Sequence, residues 1–305
     1  MYLVGTGLIL AAALSPLAFW GLNHLADRGL LFGREFVPLH RVFNRVFTLL
    51  MLIGLWIVLR RNRLINKKDL GFGISKIRFF SQFFGGFFFG AASMGAIVGF
   101  LYFFGPLEAE TGRTAAYLAR AFFKGTISGI GVVILEESLF RGAMMTAVER
   151  RHSQNAAVII SAFIYGLLHF LVGKHKTAQV TWHSGFEYLG ESLLTLTRPE
   201  VIAPLATLIM VGLLLAKLKQ ASGHIAGCMG VHAGWVAMIY WGERATYHAP
   251  SKPSAWLISP IYNDILGVFS LTVTVVFSLI AVWALGRYGR RLRQGGTGNA
   301  PPDQR

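Results

Sequence analysis

Residues 121–148 read AFFKGTISGIGVVILEESLFRGAMMTAV. As a helix, this mostly apolar segment is long enough to cross roughly 30 Å of hydrocarbon. Lys124 lies near one end and Arg150 just beyond the other, so Glu136 falls near mid-membrane. Charged side chains at that depth are rare and costly. The stretch therefore predicts a transmembrane helix that carries ionisable groups in its middle.

The rest of the chain has the composition of a membrane protein. Hydrophobic residues make up 54% and charged residues 14% of the 305 positions, whereas soluble domains carry roughly 25% charged residues. We therefore predict an all-α fold, a polytopic membrane bundle with about eight transmembrane helices. The other seven predicted segments are 2–21, 44–60, 80–104, 155–172, 200–217, 224–242 and 263–286.

The predicted helices form one membrane unit, because no long polar block separates them. We expect N-terminal transmembrane helices at 1–119, a core at 120–242, and a last external loop with the final helix at 243–294. Residues 295–305 are rich in Gly, Pro and polar residues and are predicted to be disordered.

The net charge of +15 indicates membrane topology rather than binding to nucleic acid, since the basic residues lie in short loops beside helices. Clusters of basic residues follow the second, fourth, sixth and eighth predicted segments, counted along the chain. In a bundle of eight helices, all four clusters fall on the same side of the membrane. We predict that this side and both termini are cytoplasmic. The loop after the first segment argues against this orientation, because it would be external although it carries Arg28, Arg34, Arg41 and Arg45. The supporting clusters are Arg60, Arg61, Arg63, Lys67, Lys68, Lys76 and Arg78; Arg150 and Arg151; Lys217 and Lys219; and Arg287, Arg290, Arg291 and Arg293. The short loops lead us to expect a bacterial inner (plasma) membrane.

Three charged residues lie at the centre of the 121–148 segment. Each costs roughly 2.5–3.5 kcal/mol there if it is left unpaired. Glu137 and Arg141 are four residues apart, so they face each other on a helix. Glu136 is rotated by about 100° from Glu137 and lacks this partner. Glu136 is therefore a candidate general base, and a purely structural ion cluster is the alternative.

Two histidines lie in neighbouring apolar segments. His169 ends the sequence YGLLH at 165–169, and His232 lies in GVHAGWV at 230–236. Each one alone is typical of a hydrogen bond between helices. The glycines beside His232 let a substrate or another backbone come close. Together with the glutamates, the histidines predict a functional site inside the membrane.

Glu136, His169 and His232 could support two kinds of hydrolysis, one with a metal ion and one without. Two histidines and a glutamate can hold zinc. Without a metal, Glu136 deprotonates a water that His169 positions, and His232 donates to the developing oxyanion. The zinc signature HExxH and the serine elbow GxSxG are absent, and Cys228 is the single cysteine.

The three motifs in order, EExxxR, an aromatic residue followed by xxxH, and GxHAGW, resemble the CPBP family. This is the CAAX-protease and bacteriocin-processing (Abi) family of intramembrane endopeptidases, and the resemblance covers roughly residues 120–240. It implies that Glu136 is the water-activating base and His169 its partner. It also implies that His232 is the oxyanion residue and that Glu137 and Arg141 support the site. The resemblance implies a glutamic rather than a zinc-dependent protease, with no cofactor, although zinc remains possible.

The chain departs from the family pattern at two positions in these motifs. Tyr165 replaces the usual Phe, and Val236 replaces the Asn or Asp that assists the oxyanion histidine. Val236 has no hydrogen-bond donor, and Trp235 points about 100° away from it. Tyr165 shares a helical face with His169, so we expect its hydroxyl to be the substitute donor.

The polar loop 173–199 is an insertion relative to the family. Helical spacing of apolar residues predicts an amphipathic helix on the outer surface. The apolar residues are Phe186, Leu189, Leu193 and Leu196. The same segment carries the polar residues His183, Glu187 and Glu191. We expect these polar residues to form a solvated helix face, with a metal site as the remote alternative.

The leading hypothesis is an intramembrane endopeptidase whose partners are a membrane protein or peptide substrate and the lipid bilayer. A non-catalytic relative that binds membrane peptides or proteins is a second hypothesis. A proton-coupled transporter is a third, although no convincing internal repeat supports it. The sequence leaves the substrate, and any role of prenylation, open.

Overall fold

The computed structural model describes residues 2–30, 37–61, 66–171, 179–259 and 261–280. Long helices dominate this part of the chain, so the predicted all-α membrane bundle is confirmed. The helices are α1 (Tyr2–Asp27), α2 (Leu39–Arg61), α3 (Lys76–Phe103), α4 (Ala115–Glu137), α5 (Met145–Glu149), α6 (Gln154–Phe170), α7 (Ser184–Thr195), α8 (Pro199–Ser222), α9 (Ala226–Ala245) and α10 (Val268–Ile280).

Five helical segments are long and apolar enough to cross a membrane. They are α1, α2, α3, the continuous stretch Ala115–Glu149, and α8. Helices α6 and α10 are apolar but shorter. The total of eight spans therefore stays a prediction. The predicted last span, 263–286, lies partly outside the described residues, and the predicted disordered tail lies wholly outside them, as do Arg34, Arg63 and the final basic cluster.

Helix α4 does not end as a regular α-helix. Ser138–Met144 form a π-helical turn that joins α4 to α5. The carbonyl oxygen of Phe140 accepts a hydrogen bond from the backbone N–H of Met145 within this turn. It also accepts a hydrogen bond from the Ser161 hydroxyl of α6 at 3.2 Å. The turn follows Glu137 directly and contains Arg141, so it shapes the segment that carries the ionisable groups.

Helices α3 and α9 pack with their backbones in contact. A Cβ added to Gly90 of α3 would overlap the backbone of Val231, and a Cβ added to Gly230 of α9 would overlap the backbone of Phe83. The glycines therefore serve helix packing. This contact fixes the position of α9, which carries His232.

The 173–199 loop contains a helix, although residues 172–178 lie outside the described part. Small and polar residues of α7 pack against α1 and α2. Gly185 lets α7 approach α1 closely, because a Cβ there would overlap the Ala12 carbonyl group. Phe186 and Leu193 stay 43% and 49% exposed, whereas Leu189 and Leu196 are partly buried against the hydrophobic core. The buried residues of α7 are Ser184, Gly185, Tyr188 and Ser192.

A small antiparallel sheet joins two connections at one end of the bundle. Strand β1 (Leu107–Ala109) follows α3 and pairs with β2 (Thr246–His248), which follows α9. Lys252 forms a 3.3 Å ion pair with Glu108 beside the sheet. The sheet therefore holds the end of α9 against the beginning of α4.

Candidate active site

Three of the predicted site residues converge from three helices. The Nε2 atoms of His169 (α6) and His232 (α9) lie 4.0 and 3.9 Å from Oε2 of Glu136 (α4). These separations are too long for direct hydrogen bonds, and one water molecule can bridge them. Oε2 of Glu136 is buried and has no hydrogen-bond partner in the described part of the chain. The arrangement therefore leaves one carboxylate oxygen available to a water molecule or a substrate.

The second glutamate is paired as the sequence predicted. Arg141 Nη1 lies 3.2 Å from Glu137 Oε1, and both side chains are fully buried. The Arg141 guanidinium also donates to the Gly212 carbonyl oxygen at 3.3 Å and lies 4.5 Å from the centre of the Tyr165 ring. A buried carboxylate needs such compensation because it has lost its hydration. Glu137 is therefore held as part of the wall of the site.

Glu137 has a second partner that the sequence did not reveal. The same oxygen, Oε1, lies 2.9 Å from Nδ1 of His232. An ionised carboxylate only accepts, so His232 donates through Nδ1–H and directs Nε2 towards Glu136. Helical spacing predicts the pair of Glu137 with Arg141. The contact between Glu137 and His232 joins residues on two helices and depends on tertiary packing.

A hydrogen bond from Nδ1 also orients the ring of His169. Its Nδ1 lies 2.8 Å from the backbone oxygen of Tyr165, one turn earlier on α6. A carbonyl oxygen can only accept, so Nδ1 carries the proton and Nε2 faces Glu136. Both histidines therefore present the same ring nitrogen to one carboxylate oxygen, each fixed by a hydrogen bond on the other side of its ring.

Tyr165 lies in the wall beside both histidines. Its side chain is 1% exposed, and its hydroxyl oxygen lies 3.4 Å from His232 Nε2. Its ring centre lies 4.4 Å from that of His169. The hydroxyl, which a Phe would lack, is therefore close to the nitrogen that faces the site.

Two neighbours of His232 on α9 differ in what they offer. Val236 lines the same cavity and packs against Gly129 of α4. Trp235 donates its indole N–H to the Ser93 hydroxyl of α3 at 2.9 Å. The Trp235 donor is therefore engaged in helix packing, and Val236 adds no polar group.

The site lies on the wall of a cavity of about 810 Å³. Helices α2, α4, α6, α8 and α9 form its mostly apolar walls, together with residues 195–198 and 261–266. Leu52 of α2 and Leu135 of α4 line the cavity and are 38% and 41% exposed. The sequence analysis missed the contributions of α2 and of residues 261–266, because these segments carry no motif.

The predicted polar set on α7 lies away from this cavity. His183 Nε2 and Glu187 Oε1 form a 3.0 Å pair on an exposed face. Within the described ranges, no group of three or more His, Cys, Asp and Glu side chains is placed to hold a metal ion.

Fold and site together define a helical membrane protein with a buried carboxylate–histidine centre. Residues 118–238 match the family model described as type II CAAX prenyl endopeptidase Rce1-like. This part of the chain is therefore similar to the CAAX protease family, as the three motifs predicted, and the matched range includes all the predicted site residues. Comparison with curated proteins and with solved structures gave no match.

The long apolar helices of the described residues and this resemblance together support an integral membrane protein.

Proposed function

We propose that the chain hydrolyses peptide bonds of membrane-associated substrates with a water molecule that Glu136 activates. The observation that carries this proposal is the placement of Glu136 Oε2, buried and without a described hydrogen-bond partner, within 4.0 Å of Nε2 of both His169 and His232. Oε2 of Glu137 also has no described hydrogen-bond partner. Glu137 is less suited to act as the base, because its side chain is fully buried outside the cavity lining and Arg141 and His232 occupy its Oε1 oxygen.

In this mechanism, Glu136 takes a proton from a water that is positioned by His169, and the water oxygen attacks the peptide carbonyl carbon. The C–N bond then breaks, and Glu136 passes the proton to the leaving amine. His232 donates to the oxyanion through Nε2. Because Nδ1–H is already bound to Glu137, this donation requires a second proton on the His232 ring, at Nε2.

The orientation of the protein is part of the proposal. Residues 195–198 and 261–263 line the cavity at one end of the bundle, whereas Arg60, Arg150 and Lys217 lie towards the other. With the basic end cytoplasmic, both termini are cytoplasmic and the mouth of the cavity faces the opposite side of a bacterial inner membrane. The catalytic core is then 120–242.

A second candidate function is supported by one observation. Val236 provides no donor to an oxyanion, so the chain can be a non-catalytic relative that binds membrane peptides or proteins in the same cavity. A measurement of peptide cleavage distinguishes the protease from the non-catalytic binding protein. Purified protein in detergent is incubated with membrane peptides, and the products are identified by mass spectrometry. Specific cleavage supports the protease, and binding without cleavage favours the second candidate.

Tyr165 and Val236 give a matched pair of predictions. We expect Tyr165→Phe to slow cleavage by about 10²–10³, the usual effect of removing one preorganised oxyanion donor. Val236→Asn should accelerate the enzyme, because the amide adds a donor beside His232. Tyr102→Phe, on the exposed surface of α3, is the control and should leave the rate unchanged. A silent Tyr165→Phe combined with a silent Val236→Asn contradicts this assignment.

Metal removal is a separate prediction. We expect the protein to keep its activity after dialysis against a chelator, because Glu136 can activate water as a general base without a Lewis acid. The check is the cleavage rate before and after chelation, with metal content measured by mass spectrometry. Stoichiometric zinc, with activity lost on its removal and restored by its return, would establish the metalloprotease mechanism instead.

A further inference from the structure

Tyr262 is a cavity residue to which the proposed mechanism gives no role. It lies in the turn formed by residues 261–266, between β2 and α10, and lines the same cavity as Glu136 and His169. This turn lies outside residues 118–238, the part of the chain that matches the family model. The turn therefore brings a phenol hydroxyl into the site from a segment that carries none of the three motifs.

Hydrogen bonds close this turn and anchor it to the bundle. The Ser259 backbone N–H donates to the Leu266 carbonyl oxygen at 2.9 Å. Within the turn, Asn263 Oδ1 accepts from the backbone N–H groups of Ile265 and Leu266 at 3.1 and 2.7 Å. The Ser259 hydroxyl donates to the Glu200 carbonyl oxygen at 2.7 Å, which ties the turn to the first residues of α8. The turn is therefore an anchored part of the cavity wall.

The Tyr262 ring packs against the end of α6. Its centre lies 5.2 Å from that of Phe170 and 6.2 Å from that of His169. His169 Nε2 lies in turn 4.0 Å from Glu136 Oε2. The charge of Glu136 also acts on the Tyr262 hydroxyl. Tyr262 is therefore a neighbour of the Glu136–His169 pair.

The Tyr262 hydroxyl stays protonated and has a hydrogen bond to give. Burial in the cavity wall and the negative charges of Glu136 and Glu243 raise its pKa above the ordinary value of a tyrosine. A neutral phenol donates one hydrogen bond. The hydroxyl forms no hydrogen bond with any residue in the described ranges. This donor is therefore available to a ligand in the cavity.

The three central side chains offer a bound peptide acceptors rather than donors. Glu136 is a carboxylate, and Nε2 of His169 carries no proton because Nδ1–H is bound to the Tyr165 carbonyl oxygen. Nε2 of His232 is also an acceptor until it gains a second proton, since Nδ1–H is bound to Glu137. A peptide carbonyl oxygen only accepts, and it becomes an oxyanion when water attacks the carbon. The reaction therefore needs a donor from another part of the wall.

The other side-chain donors in the described cavity wall are engaged or have no polar contact with the central pair. The Tyr165 hydroxyl lies 3.4 Å from His232 Nε2 and donates to it while that nitrogen carries no proton. Three further side chains donate to groups outside the central pair, and these are Thr48, Thr195 and Trp235. The remaining donors form no hydrogen bond or ion pair with Glu136 or His169, and these are Arg45, Arg198 and Asn263. Tyr262 is thus the free donor that lies beside the pair.

We propose that Tyr262 is a further catalytic residue, whose hydroxyl donates to the carbonyl oxygen of the cleaved peptide bond as that oxygen becomes negative. The inference rests on the proposed protease function. The developing charge is then stabilised by His232 from α9 and by Tyr262 from the turn beside α6. Tyr262 supplies the donor that Val236 lacks. The hydroxyl keeps its proton throughout, so the covalent steps of the hydrolysis are unchanged.

The kinetic test removes the hydroxyl and keeps the ring. In Tyr262→Phe the packing against Phe170 and His169 remains. We expect kcat to fall by about 10²–10³, the usual effect of removing one oxyanion donor, with KM unchanged. Tyr102→Phe, on the exposed surface of α3, is the matched control and should leave both constants unchanged.

A binding measurement tests the same donor without turnover. The probe is a fluorescein-labelled pool of apolar dodecapeptides with randomised sequence, in which a phosphinic group replaces the central peptide bond. A second pool keeps that peptide bond. The phosphinic group is tetrahedral and negative, as the reaction intermediate is. Binding to Glu136→Gln protein in detergent is measured by fluorescence anisotropy, so that no probe is cleaved and no Glu136 charge repels the phosphinate.

We expect the Glu136→Gln protein to bind the phosphinic pool more tightly than the peptide pool. Adding Tyr262→Phe should reduce this preference about tenfold, the effect of losing one hydrogen bond to a charged group. Adding Tyr102→Phe instead should leave the preference unchanged.

Several results overturn the assignment of Tyr262. They are cleavage by Tyr262→Phe at the wild-type rate, a rise in KM with kcat unchanged, and an equal loss in Tyr102→Phe. Failure of both pools to bind, no preference for the phosphinic pool, or an equal loss of affinity for both pools also overturns it. A phosphinic preference that depends on Tyr262, in a protein that never cleaves a peptide, would instead leave the donor standing and refute the proposed protease.

Discussion

Glu136→Gln should lower the cleavage rate by about 10²–10⁴, the range that positioned acid–base groups contribute. Glutamine keeps the shape and the hydrogen-bonding capacity of the side chain but cannot take a proton from water. The cavity, the two histidines and the Glu137–Arg141 pair remain, so the protein should insert and fold normally. The measurement is the initial rate on a membrane peptide, together with the elution profile of the purified variant.

A matched carboxylate provides the control for this variant. Glu187 on α7 is 54% exposed and pairs with His183 outside the cavity, so Glu187→Gln should leave the rate unchanged. A Glu136→Gln protein that cleaves at the wild-type rate would show that another group activates the water.

Arg141→Ala should act on stability before it acts on activity. The change leaves the Glu137 carboxylate fully buried with His232 as its remaining described partner. Removing one partner of a buried ion pair typically costs about 3–5 kcal/mol, because the remaining charge has no water to solvate it. We expect a lower yield of folded protein and a lower melting temperature in detergent.

The double variant Arg141→Met with Glu137→Gln tests this cause. Removing both charges should restore much of the lost yield, although His232 then loses its orienting carboxylate and the rate stays low. Arg150→Ala is the control, because Arg150 pairs with Asp69 at 3.3 Å on the surface and such pairs contribute about 0–1 kcal/mol. An Arg141→Ala protein as stable as wild type would contradict the account of the buried pair.

The helices could be predicted from the sequence because the bilayer imposes a minimum length of apolar sequence. The π-helical turn at 138–144 could not, because EESLFRGAM fits a regular helix equally well. The face of α7 that packs against α1 could not be predicted from the sequence either. Its small residues, such as Gly185, fit closely against α1, and only the tertiary arrangement reveals that fit.

The candidate site also combines features that the sequence predicted with features that depend on tertiary packing. Ionisable residues inside apolar segments stood out, since each is costly unless it has a partner or a function, and Glu136, His169 and His232 were found in this way. The Glu137–His232 hydrogen bond depends on how α9 lies against α4, and that position follows from the glycine contacts with α3. Arg45 was interpreted as a topology signal that opposed the other basic clusters, yet it lines the cavity.

The central claim is hydrolysis of a membrane peptide at the Glu136 site, and cleavage in H₂¹⁸O tests it most directly. Purified protein in detergent is incubated with membrane peptides in labelled water, beside Glu136→Gln at the same concentration. The account predicts fragments from wild type only, each new carboxyl terminus carrying one ¹⁸O atom, since the activated water attacks the carbonyl carbon. Peptides left intact by the wild-type protein, or fragments formed equally by Glu136→Gln, would contradict it.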